Sequence, residues 1–346
     1  MQGFPYELRL RLSDEVESDG QTVVMHRIPV FDTAETVNRG ADAPQGKETV
    51  KVTVLNMEHG CRNKEIFSFL TSCSELKDTD ILLASELDDG TYRSGNFDST
   101  DAIAEALGFN SAYGLEFIEL VDKRDQKGYE GNAIFSRYPI VRADVLHLTE
   151  EYNWYFDTQK RIGERVAVFA EMDVHGNHVG AVSIHLENRT TPEGRARQIK
   201  GILEKADDWF GNIPVVIGGD FNFYTFYGPD KEQGQVFLDE QMNGQVRDVD
   251  RYEPSFALFE KYGYEYKSFN GRYLPTCRDR INGCPVWLHL DWIFAKGMTC
   301  IGKGMVSTLT EDCIKWVPGD SPILEYKGTE LSDHNAVWAE CKLEIK

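Results

Sequence analysis

"TVKVTVLNMEHG" (residues 49–60), followed by "NKEIFSFLTSCSELK" (63–77) and "DTDILLASELDDG" (78–90), decides the fold class. In the first stretch Val50, Val52 and Val54 alternate with polar residues, the period-two signature of a strand with a buried face. In the second, Ile66, Phe69, Leu70 and Cys73 recur at helical spacing. The third is a mostly apolar run, expected to be a strand ending at Glu86. Strand, helix, strand is an α/β pattern, and Asn56, Glu58 and Glu86 fall where its strands meet loops.

Outward from there the same alternation continues. "DAIAEALGF" reads as a helix, and "SAYGLEFIEL", "GNAIFSRYPI", "ERVAVFAEMDV" and "HVGAVSIHLEN" read as strands. Thr191 is placed to cap a helix that opens with Pro192 and has an apolar face of Ile199, Ile202, Leu203, Ala206 and Phe210. "IPVVIGGDFN", "LHLDWIFAKG" and "DHNAVWAECKLEI" supply further strands, with loops expected at 221–250 and 270–289. Apolar runs on both kinds of element require covering on both faces, which predicts an α/β (α+β) fold of two mixed sheets packed face to face with helices outside. Residues 49–346 read as one catalytic domain. Residues 1–48 read as a polar, turn-rich extension packed on it, with strand character at "QTVVMHRIPVF".

Composition narrows the function. The 346 residues carry 37 Lys plus Arg against 57 Asp plus Glu, a net charge of −20, which repels polyanions at long range and argues against a protein that coats nucleic acid. A locally basic groove remains compatible with this, and so does a phosphate site if a divalent cation stands between it and the acidic field. No apolar run approaches the roughly 20 residues of a membrane-spanning helix, and the N-terminus has no export-signal pattern, so no membrane insertion and a cytoplasmic location are expected. Seven scattered cysteines without a CxxC pair read as structural thiols rather than zinc ligands.

Polar residues cluster at the ends of apolar strands: Asn56 with Glu58, Glu86, His185, Asp220 with Asn222, Asp291, and Asp333 with His334. Strand termini of packed sheets gather at one rim, where such side chains can converge. Hard divalent cations take carboxylate and amide oxygens, chemistry that Glu86, Asn56 and Asp333 offer. In "GGDFN" the glycines permit a tight turn, and Asp220 and Asn222 then share a side, one to orient a water and the other to hold a phosphate oxygen. The same pentapeptide is also good Asx-turn chemistry, as Ser332-Asp333 is ordinary turn chemistry before a strand. Asp291 sits between apolar neighbours and needs a partner, for which His334 is the candidate; an imidazole held that way is a general base or a charged phosphate clamp.

Taken in order, "LNMEHG", "SELDDG", "GNAIFSRYPI", "SIHLEN", "GGDFN", "LDWIF" and "LSDHNAV" resemble the endonuclease/exonuclease/phosphatase superfamily of metal-dependent phosphoesterases, the deoxyribonuclease I-like proteins, over about residues 50–342. The resemblance implies a four-layer αββα sandwich with a site at one rim, and Mg²⁺ or Mn²⁺ as cofactor. It implies Glu86 as main metal ligand with Asn56 and Asp333, and Glu58 as a weaker one. Asp220 would position or deprotonate the nucleophilic water, Asn222 and His185 would bind the scissile phosphate, and His334 oriented by Asp291 would complete the site, the parts of Asp220 and His334 being exchangeable. Asn132 would order the rim. Either Glu116 or Glu119 would orient His185. "HLENRTTPEGRARQ" is similar to the tyrosyl-DNA phosphodiesterase branch, which brings Glu187 and Arg189 forward as substrate contacts, although "GDFN" departs from that branch. The 85–117 segment most resembles uncharacterised bacterial members; its Arg93, Ser94 and Asn96 are either substrate contacts or a polar surface loop.

Three functions fit. A phosphodiesterase of nuclease type needs a basic or aromatic groove, for which Arg93, Arg161, Arg165, Arg189, Tyr224, Tyr227 and Trp154 are available. A phosphatase or phosphodiesterase acting on a small sugar, inositol or lipid-headgroup ester suits the −20 charge better. A non-catalytic binding module on the same scaffold is disfavoured by the functional residue type at every principal motif position.

Overall fold

The computed structural model describes residues 3–40, 48–223, 231–243, 245, 248–272, 274–281, 283–309 and 330–344. Its larger sheet runs, edge to edge, through Glu35–Val37, Asn110–Glu119, Tyr129–Ser136, Ile81–Asp89, Thr49–Asn56, Ala336–Leu343 and Met298–Val306, with Arg161–Gly163 also paired to the 110–119 strand. The second sheet runs Asp291–Lys296, Val215–Asp220, Asn177–His185, Val166–Val174 and Ile140–His147. Both sheets mix parallel and antiparallel pairs: 49–56 lies parallel to 81–89, and 215–220 parallel to 177–185.

Strand alternation divides the apolar residues into three layers. Val50, Val52, Val54, Ile81 and Leu83 face inward and meet Val168, Ala181, Val216 and Ile293 of the other sheet. Their neighbours Leu55, Leu82 and Ala84 face outward, against Ile66, Leu70 and Ile103 of helices Asn63–Ser72 and Ser99–Leu107. On the opposite outside, Ile184, Ile217 and Phe294 pack under Ile199, Ile202, Leu203 and Phe210 of helix Pro192–Phe210 and under Phe256 and Phe259 of Ser255–Lys261. Each such side chain stabilises the fold by roughly 1.5–3 kcal/mol against chain entropy. The predicted αββα sandwich is therefore present, and Thr191 caps its long helix as expected, accepting from Gly194 N–H at 3.3 Å.

Several local expectations are overturned. Residues 21–31 hold no strand: Tyr6–Asp19 and Gln21–Met25 are helices, because Leu12 and Val16, then Val24, Ile28 and Phe31, recur at helical spacing and bury against the larger sheet's outer face. The fully buried Arg9 fastens the first helix through Asp125 Oδ2 at 3.0 Å and the Glu119 carbonyl at 2.6 Å. The stretches expected as loops contain a helix, Lys231–Met242, and a hairpin of Cys277–Ile281 with Cys284–Leu288. Gly218 and Gly219 form no tight turn but lie inside strand 215–220. A Cβ on Gly218 would stand 2.8 Å from Val54 Cγ2 of the facing sheet, and one on Gly219, at φ 147°, would stand 2.0 Å from the Ile184 carbonyl, so inter-sheet packing requires the first and close backbone approach the second. No described helix is long and apolar enough to cross a membrane, and the six described cysteines are free thiols.

Candidate active site

Strand 81–89 does not stop at Glu86 as its apolar run suggests; it continues to Asp89, and Glu86 is ejected from the ladder. The register slips between the pairs Ala84↔Ala133 and Leu87↔Gly131, and Glu86 takes a left-handed φ of 53°. This bulge turns the carboxylate into the space between the sheet ends. A second bulge on strand 110–119, between Leu115↔Gly131 and Phe117↔Glu130, does the same for Glu116. Among the described residues six other than glycine have left-handed backbone, and Glu58, His59, Glu86 and Asn222 are four of them. Strain of this kind persists where the surroundings over-determine it, commonly at functional sites.

These groups meet at a cavity of about 390 Å³ whose walls include His59, Glu86, His185, Asp220, Asn222, Asp333 and His334. Asn56 lies beneath them. Its amide nitrogen donates to Glu86 Oε1 at 3.0 Å and Asp220 Oδ2 at 3.1 Å, while its oxygen accepts the Glu58 N–H at 3.0 Å. That last bond fixes which way the amide points, so Asn56 bridges the two carboxylates with its nitrogen. Asp220 Oδ1 accepts the Asn222 N–H at 2.8 Å, so "GDFN" forms the Asx-type turn and places its carboxylate at the same time. Asn222 is held by its amide on the Leu186 carbonyl at 2.9 Å.

His334 Nδ1 lies 2.7 Å from the fully buried Asp291 Oδ2, the pairing expected from sequence, and its Nε2 is 3.6 Å from Asp220 Oδ2. Ser332 supplies the turn, accepting the His334 N–H and donating to the Asn56 carbonyl, which leaves Asp333 on the cavity wall. Burial disfavours a charged His334, but Asp291, Cys277 and Asp220 outweigh it and hold the imidazole well above its ordinary value. Burial, helped by Asp291 and opposed by His334, pushes the Asp220 carboxyl up to about 7. Burial also opposes ionisation of Glu86, yet His59 and His185 overcome it and hold the carboxyl at about 2. Glu58 stands beside Asp333; burial, then Asp333 and Glu330, raises it.

His185 faces Glu86 Oε1 at 3.7 Å and Asp220 Oδ2 at 3.6 Å through Nε2. Of the two glutamates considered for it, Glu116 is near, at 3.7 Å from Nδ1, but Arg165 intervenes: Nη1 lies 2.7 Å from Glu116 Oε1 and 2.8 Å from His185 Nδ1. Nη1 also lies 3.1 Å from His185 Nε2, so the guanidinium sits against the imidazole edge and donates to whichever ring nitrogen is unprotonated. Burial and the Arg165 charge keep this imidazole well below its ordinary value. Glu119 instead bonds Gln159 at 2.8 Å and pairs with Arg93 at 3.2 Å.

Other expected contacts are placed differently. Arg93 is engaged by Asp88 and Glu130, each at 2.7 Å, and faces a neighbouring chamber, because the loop after Glu86 folds back onto those carboxylates. Asn96 is half-buried, bonded to Arg124 O and Gln126 N, and away from the cavity walls. Asn132 is fully buried and donates to Glu116 Oε2 at 2.9 Å and to the Val166 carbonyl. Glu187 is buried behind the wall, holding Trp154 Nε1 at 2.9 Å and Arg165 Nε at 3.3 Å. Arg189 does line the cavity, stacked 4.3 Å over Trp154 and paired with Asp157. Arg161 and Arg165 line it too, Arg161 lying 3.9 Å from the Phe117 ring and 4.0 Å from Trp154. Tyr224 and Tyr227 lie outside the described residues. Not anticipated was His59, although it stands inside "NMEHG" one residue from Glu58; its left-handed backbone turns it into the cavity.

A family profile described as endonuclease/exonuclease/phosphatase matches residues 55–334, a span that includes both bulges and the His334–Asp291 pair. The chain belongs to that family. Its members are phosphoester hydrolases that depend on metal ions, and this chain has carboxylate and imidazole groups that could hold one. Among solved structures it is similar to the endonuclease/exonuclease/phosphatase from Beutenbergia cavernae DSM 12333, at 16% identity over 86% of this chain and 72% of that one, with a TM-score of 0.52. The human Nocturnin catalytic domain with bound sulfate aligns at 16% identity over 91% of this chain and 98% of that one, with a TM-score of 0.54. D. rerio TDP2 complexed with a single-strand DNA product aligns at 14% over 85% and 99%, with a TM-score of 0.51. At these identities the likeness is one of fold. No curated protein matches the sequence.

Proposed function

We propose that this endonuclease/exonuclease/phosphatase family member is a phosphodiesterase that hydrolyses its substrate by in-line attack of water with the aid of Mg²⁺ or Mn²⁺. One observation carries the reading: ligand atoms of Glu86, His185 and Asp220 lie within 4.8 Å of one another beside the His334–Asp291 pair. Carboxylate oxygens dominate this donor set, which suits a hard cation, and Glu86 would hold it, Asp333 and Glu58 standing nearby. A bound cation would polarise a phosphoryl oxygen and offset charge on the leaving oxygen. His185 and Asn222 face the same space, where they would bind a phosphoryl oxygen. Asp220 is positioned to take the proton of the attacking water, beside a His334 that Asp291 steadies in its charged form.

A second reading, a small polar phosphoester as substrate, is favoured by the wall arginines. Arg161, Arg165 and Arg189 are each paired with a carboxylate, Glu130, Glu116 and Asp157 respectively, so the groove has little net positive field for a polyanion. Hydrolysis of bis-p-nitrophenyl phosphate, p-nitrophenyl phosphate and plasmid DNA, each with Mg²⁺, Mn²⁺ or chelator, tests both. Cation-dependent diester cleavage with DNA nicking supports a nuclease, and small-ester turnover with intact plasmid supports the second reading. Turnover unaffected by chelator, or inertness toward all three substrates, would sink the proposal.

A further inference from the structure

We propose that Cys300 and Cys341 form a modification site: a thiol pair that an external disulfide oxidises to an intramolecular disulfide, clamping the edge strand of the larger sheet to its neighbour. The inference does not depend on the reaction proposed above. Cys300 lies on strand Met298–Val306 and Cys341 on strand Ala336–Leu343, and the antiparallel register sets the two directly opposite each other. Which kind of pair they form follows from the ladder. Glu344 N–H donates to the Gly297 carbonyl at 3.0 Å, so hydrogen-bonded pairs fall at 297/344 and, two residues on, at 299/342. Cys300 and Cys341 come next and occupy a non-hydrogen-bonded position, where opposing Cα atoms stand about 4.5 Å apart and side chains approach most closely. A disulfide takes Cα separations of about 4.4–6.8 Å, so the bridge needs little backbone movement.

Their surroundings separate these two from the other thiols. Cys341 is fully buried in the layer between the sheets, with Val50 opposite it on the other neighbouring strand, and half-buried Cys300 packs against the same layer. Cys277 stands opposite Leu288 and Cys284 opposite Ile281, so among the described residues no other two cysteines face each other across a ladder. Strand 298–306 ends the order of the described strands, is held along one side, and slips register between Cys300 and Gly302. An edge strand interrupted by a bulge can make the small shift that bond formation requires. Exposure then sets the order of events. The Cys300 thiolate attacks one sulfur of the oxidant, releasing a first small thiolate and leaving a mixed disulfide. Cys341, its proton passed to buffer, attacks the Cys300 sulfur and expels the second. The two protein thiols give up two electrons in all, and the oxidant becomes two thiols. Burial holds both cysteines above their ordinary value, so exchange is slow in neutral buffer and faster in alkaline buffer.

The test incubates the full chain with oxidised glutathione in mildly alkaline buffer and compares wild type, Cys300→Ser and Cys341→Ala. Intact mass, a peptide map without reductant, and the thermal midpoint with and without dithiothreitol are read. Wild type should lose two hydrogens in mass and yield a linked peptide joining residues 300 and 341. It should also melt about 5 °C higher, since the bridge closes the loop 300–341 in the unfolded chain, and dithiothreitol should reverse all three changes. Neither variant should show the linked peptide or the rise in midpoint; Cys300→Ser alters a half-buried side chain and decides the matter even where Cys341→Ala fails to fold. Glutathione retained on Cys300, Cys300 joined to any other cysteine, thiols at 300 and 341 that stay reduced, or a bridge without a rise in midpoint would overturn the assignment.

Discussion

Asn56 joins Glu86 to Asp220 with a single amide nitrogen, 3.0 Å from one carboxylate and 3.1 Å from the other. The two acids come from different sheets, so this one side chain sets their separation at the rim. Asn56→Ala removes the shared donor and leaves buried carboxylate oxygens unsatisfied, a cost of about 1–3 kcal/mol. We expect a lower thermal midpoint in metal-free buffer and a fall in kcat of about 10²-fold, because a loss of positioning is felt in the transition state. Thermal melts and steady-state kinetics on bis-p-nitrophenyl phosphate check both, and an unchanged kcat would mean that the spacing is set elsewhere.

Asp291→Asn tests the His334 pair. The change keeps size but lets an amide N–H face Nδ1, opposing the charged imidazole; in comparable Asp–His pairs such a change costs up to about 10⁴-fold in kcat. A drop of about 10²–10⁴-fold with a native circular dichroism spectrum is expected. Wild-type turnover would remove the pair from the mechanism.

Arg165 is buried among Glu116, Glu187 and His185. Arg165→Met strands two buried carboxylates and should destabilise by about 3–5 kcal/mol, as a broken buried pair does. Arg165→Met combined with Glu116→Gln should be less destabilised than the sum of the single changes. Denaturant unfolding of the four proteins measures the coupling, and strict additivity would deny the pair its structural role.

Glu164, which is absent from the cavity wall, supplies a pH prediction. Burial, then the Glu150 charge, raises its carboxyl from 4.5 to about 7 in the folded protein. A folded value above the unfolded one means that the native state holds the proton more tightly. This contribution to stability is full below about pH 4.5 and is lost as pH rises through about 7. Glu164→Gln, which imitates the protonated form, should therefore match wild type near pH 4 and exceed it above pH 7 by about 1–2 kcal/mol, discounted for partial exposure. A stability difference that does not change with pH would refute the shift.

The order of elements, the alternation that divides Val50, Val52 and Val54 from Leu55, and the cap at Thr191 are local properties of the chain, and they were legible without coordinates. So was the partner of Asp291: a buried carboxylate needs a donor, and His334, beside the strand-end acid Asp333, was the candidate. The helices of residues 6–25 were misread because their apolar spacing is hidden among many charges, and strand 81–89 was cut short because a bulge leaves no mark in composition.

What only tertiary structure decided is direction. Register slips at Glu86 and Glu116, left-handed backbone at His59 and Asn222, and Arg165 set between Glu116 and His185 all depend on which strands lie side by side. Sequence determines which chemical groups stand at strand ends, since hydrophobic periodicity is written residue by residue. Which of them turn into the cavity is settled by non-local pairing, because one extra residue in a ladder reverses the face a side chain occupies.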